Sequence, residues 1–144
     1  MAVEQILGAA NTGLLQAVLV AHIVCAVAGF GGALGVRSTS SASAGDGVPK
    51  RALVVTDVGL YGVAVFGVLA VLLDDSWKFS QTWVTLGFVL YIGWLALWHV
   101  VLRPGTGDRP RRRHFSQRLV TGCSAAADLL LVAAIVVMVV KPGL

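Results

Sequence analysis

Hydrophobic positions in this chain fall into four long runs, and polar positions fall almost wholly between them. The first run, 11–36, holds no Asp, Glu, Lys or Arg over 26 residues, enough to cross the hydrocarbon core of a bilayer even when tilted. The second, 52–73, has a single charge, Asp57. The third, 83–102, includes Tyr91, Trp94, Trp98 and His99; the fourth, 119–140, has Asp128 near its centre. A chain in hydrocarbon must satisfy its backbone hydrogen bonds internally, so each run predicts a helix.

The stretches between the runs read as breaks. Arg37 ends the first run and leads into STSSASAGDGVPKR, a Ser/Gly/Ala-rich segment with little reason to fold. Pro49, Lys50 and Arg51 mark the start of the second helix, and Asp74 and Asp75 mark its end. Trp77 and Trp83 flank a short polar connection, as interfacial anchors do. Arg103-Pro104-Gly105 stops the third run before a strongly basic segment. The first ten residues contain Glu4 and no Lys or Arg, so they lack the positive n-region of a secretory signal, and the first run is expected to remain as a span.

Composition changes this picture only by excluding classes. Hydrophobic residues make up 57% and charged residues 12%, and a soluble domain has about twice that charged fraction. With 144 residues the chain fits one transmembrane domain. Cys25 and Cys123 both lie in apolar runs, which argues against a disulfide framework. The net charge of +4 comes from Arg37, Lys50, Arg51, Arg103, Arg109, Arg111, Arg112, Arg113 and Arg118 in two connections, against Lys78 and Lys141 elsewhere. Nine against two reads as membrane topology rather than nucleic-acid binding. The expected fold is therefore all-α, a polytopic antiparallel four-helix transmembrane bundle, with loops 37–51 and 103–118 cytoplasmic and both ends outside. The basic residues Arg109, Arg111, Arg112, Arg113 and Arg118 could also face anionic lipid or an acidic partner.

Candidate chemistry rests on the ionisable groups inside the runs, since such groups are costly in a bilayer. At 1.5 Å rise per residue, Asp128 lies about 14 Å from the cytoplasmic end of its span, Tyr91 about 16 Å and His22 about 21 Å. Asp57 and His99 lie about 8 Å and about 5 Å in. Two layers follow: His22, Tyr91 and Asp128 near the midplane, and Asp57 and His99 beside the basic ends. The bland expectation is mutual satisfaction, with Asp128 bonded to His22 or Tyr91 and Asp57 to a loop arginine. The sharper alternative is a proton or ion path through His22 and Asp128. A bis-histidine haem on His22 and His99 is disfavoured by their difference in depth. His22 and Cys25, three apart on one face, leave a copper reading open. At helical spacing His22 also shares a face with Ala26, Gly29, Gly32 and Ala33, a small-residue surface that admits another helix closely. No nucleophile–base pair, phosphate-binding loop or zinc spacing is present in the sequence, so neither catalysis nor a cofactor is expected.

Three pieces carry a resemblance: His22 followed by Gly31-Gly32, the segment WKFSQTWV, and the ending DLLLVAAIVVMVVKPG. Together they make the chain similar to a family of small four-helix bacterial integral membrane proteins of unknown function. More distantly it looks like the membrane domain of copper-resistance D proteins, whose HFS-like start of a span is similar to His114-Phe115-Ser116. The resemblance implies four spans and a bacterial plasma membrane, and the copper-linked relatives imply a possible role in metal handling. This chain has no Met/His-rich external segment of the kind that role would use. The reading that results is a non-catalytic accessory or interaction subunit in the lipid bilayer, associated with other membrane subunits or with itself. A small transporter or proton relay, and a copper- or haem-linked redox protein, are the alternatives.

Overall fold

The computed structural model describes residues 2–42, 48–74, 76–103 and 115–142, and the regular elements among them are helices. Helix α1 (Ala2–Ala26) runs through a π-helical turn (Val27–Gly31) into α2 (Gly32–Ala42). Helix α3 spans Lys50–Leu73; α4 (Thr82–Leu97) runs into a second π-helical turn (Trp98–Leu102); α5 spans Gln117–Val140. Among the described residues, four stretches are long and apolar enough to cross a membrane: Asn11–Ser38, Lys50–Leu73, Thr82–Leu102 and Arg118–Val140. Val-rich sequence such as that of α5 would favour strands in a half-buried sheet. Runs of this length without turn residues go helical instead, because only a helix closes all its own backbone bonds.

The helix ends follow local chemistry. Ser116 caps α5 by accepting a hydrogen bond from the Leu119 amide at 3.3 Å. Arg103 turns extended (ψ 114°) immediately before Pro104, whose ring disfavours helical geometry in the residue ahead of it. Lys141 closes α5 in the left-handed region (φ 47°), its amide donating to Val137 O at 2.9 Å. Asp74 opens the next turn by accepting from the Ser76 amide at 2.9 Å.

Two boundaries of the first helix differ from the sequence reading: it begins at Ala2, ahead of the predicted start at 11, and it runs on past Arg37. The first span was predicted to stop at Arg37, but the helix continues to Ala42, so Arg37 is helical and the connection is shorter than 37–51. Serine looks like linker composition because its hydroxyl competes with the helix. Here the Ser38 hydroxyl turns back onto Gly35 O at 2.8 Å and stays within the helix. Of the predicted basic loop 103–118, residues 104–114 lie outside the described residues.

The chain forms two compact units, Met1–Leu34 with Arg51–Lys78, and Gly35–Lys50 with Phe79–Leu144. In the first unit the predicted small-residue face packs against α3. A methyl group built on Gly29 would lie 2.7 Å from Leu60 N, and one on Gly59 would lie 2.5 Å from Gly29 N. A methyl on Gly32 would lie 2.5 Å from Thr56 Oγ1, and one on Gly62 would lie 2.5 Å from Cys25 Sγ. Moving along the contact from 25 through 29 to 32 takes the partner from 62 through 59 to 56. The Thr56 hydroxyl, fully buried, donates to Ala52 O at 2.9 Å, so its burial costs no orphaned group.

In the second unit α4 faces α5 more loosely. Methyls built on Gly87 and Gly93 would meet Met138 Cε at 3.7 Å and Leu130 Cδ1 at 3.6 Å, ordinary van der Waals separations. Lys141 Nζ lies 5.3 Å from the Trp83 ring centroid, within cation–π reach. Trp94 and Trp98, both buried, stack at 6.0 Å and 15°.

The glycine contact yields the first prediction. Gly59→Ala forces its methyl into the Gly29 backbone and is expected to cost about 1–3 kcal/mol, the usual range for overpacking. Gly13→Ala, where nothing among the described residues lies within 4 Å, is expected to cost nothing. Thermal melting of the two variants in mild detergent measures the difference. Equal stability of both would contradict the close approach.

Candidate functional site: polar groups of the apolar helices

His22 lies on the α1 face that meets α3. Its Nδ1 is 2.9 Å from Val63 O. A carbonyl only accepts, so Nδ1 carries the proton and donates. The ring packs closely beside Gly67: a methyl there would sit 3.2 Å from His22 Cε1 and press the ring to shift by a few tenths of an ångström. His22 thereby ties α1 to the α3 backbone across 41 residues of sequence.

Asp128 lies on α5 and belongs to a different set. Arg37 Nη1 donates to its Oδ1 at 3.0 Å, and Nη2 donates to its Oδ2 at 3.2 Å. Nη2 also contacts Ser124 Oγ, one helical turn before Asp128. The guanidinium thus grips the carboxylate in the forked geometry that makes such pairs strong. This corrects the depth argument, which expects His22 or Tyr91 as the partner of Asp128 and places Arg37 in another layer. The helix runs on past Arg37, which makes the residue helical, and its long side chain reaches toward Asp128. Arg37 is 18% exposed and Asp128 51%.

Asp57 is half-buried about two turns into α3, with Tyr61 exposed one turn further on. Tyr91 is half-buried on α4, and His99 is exposed in the second π-helical turn. Arg118 is exposed in the first turn of α5, whereas Arg109, Arg111, Arg112 and Arg113 lie outside the described residues. Among the described residues no three His, Cys, Asp or Glu side chains come together in a group able to hold a metal ion.

Sequence reasoning missed Arg37 as the partner of Asp128, and Ser124, one turn from Asp128, as a second contact of the same guanidinium. It also missed the α3 side of the first contact. The signal there is Thr56, Gly59, Val63 and Gly67 recurring every three or four residues. Both π-helical turns escaped as well, and no residue pattern announces them. Comparison with protein-family models, curated proteins and solved structures finds no match for this chain.

The ion pair generates the second prediction. Because its partner is a permanently charged guanidinium, Asp128→Asn and Arg37→Met each leave one group without its counter-charge. Each is expected to cost about 1.5–3 kcal/mol, the range for hydrogen bonds to charged groups. The neutral double variant Arg37→Met/Asp128→Leu is expected to recover much of that loss, since an apolar pair leaves nothing uncompensated. A double-mutant cycle on melting temperature measures the coupling. Additive losses would show that the two side chains act independently.

Proposed function

We propose that this chain is a non-catalytic accessory or interaction subunit of a bacterial plasma-membrane assembly. In this reading its four apolar stretches insert as an antiparallel four-helix bundle. The basic segments 37–51 and 103–118 face the cytoplasm and both ends lie outside. The observation that carries the proposal is where the polar groups go. His22 and Asp128 are each spent on holding one helix to another. The outward faces are meanwhile almost wholly apolar, with Val27 at 69%, Leu72 at 65% and Val139 at 76% exposure. Such faces suit lipid and the helices of other membrane proteins. The charge asymmetry supports the orientation, and it survives the removal of Arg37 from the loop count: eight basic residues against two.

A second reading, a small transporter or proton relay, draws support from Asp128, half of which stays open beside its arginine. The copper-linked reading rests on the His22 and Cys25 spacing and on the resemblance, and the haem-linked reading on His22 and His99, which their difference in depth disfavours.

Two measurements test the proposal. The chain is purified with an affinity tag from its own membranes in mild detergent. Another membrane protein is expected in fixed stoichiometry, absent from an untagged control. Recovery of this chain alone, together with Asp128-dependent proton flux in proteoliposomes, would replace the proposal with the relay reading. For orientation, cysteines at Ser41 and Gly107 are expected to resist a membrane-impermeant thiol reagent in intact cells, and one at Ser76 to react. The reverse pattern would invert the topology.

A further inference from the structure

We draw no further inference here: the strongest candidate, the apolar α5 face around the half-exposed carboxylate of Asp128, carries nothing because nothing in the structure shows what covers it.

Discussion

With no Cβ at positions 29 and 59, two helix backbones come near enough that a single methyl on either would overlap main-chain atoms of the other. The rest of the first unit follows from this approach. In lipid there is no gain from transferring a leucine from tails to a protein interior, so helices associate through close packing and polar contacts. The glycines supply the packing. Once α1 and α3 are that close, His22 is within reach of the Val63 carbonyl, and its ring packs closely beside Gly67. The hydrogen bond is a consequence of the glycine contact and also fixes its register, because a slide of one turn would move the ring away from that carbonyl.

The second unit solves the same problem with charge. Its α4–α5 contacts are ordinary van der Waals separations and fix the register less sharply than the glycine pair does. Arg37 on α2 and the Ser124–Asp128 turn on α5 set position there. A forked guanidinium–carboxylate pair has few acceptable geometries, so it specifies an arrangement that apolar contacts alone would leave degenerate. Such a pair is weak proof of stability, since burying charges costs much of what their attraction returns. Its contribution is specificity.

The parts of this fold that were legible in the sequence are those set by composition over long windows. Four apolar runs became four helical stretches with boundaries within a few residues, because nothing else satisfies so long an apolar backbone. The face holding His22, Gly29 and Gly32 was legible too, because helical periodicity alone defines it. What escaped depends on single side chains reaching across space. Arg37 read as the first residue of a loop because the Ser-rich segment after it resembles a linker. One serine folded back on the helix, and an arginine tied to Asp128, were enough to place that residue inside the helix. Depth counted along each helix also misled, since it treats a side chain as lying level with its own Cα. An arginine reaches several ångströms along its neighbour, which brought together groups that the count assigned to separate layers.

These two contacts bear on how the polar groups should be read functionally. In hydrocarbon every ionisable side chain begins as a candidate for transport or catalysis because its presence costs free energy. That default weakens for His22, whose Nδ1 is engaged between α1 and α3. It weakens less for Asp128, where both oxygens are engaged and half of the surface still stands open. The carboxylate has satisfied its charge without satisfying its exposure, and these are separate requirements. A counter-ion meets the first, and water or a further polar surface meets the second. Asp128 therefore keeps a polar surface that its pairing leaves open, whereas the His22 contact lies between α1 and α3.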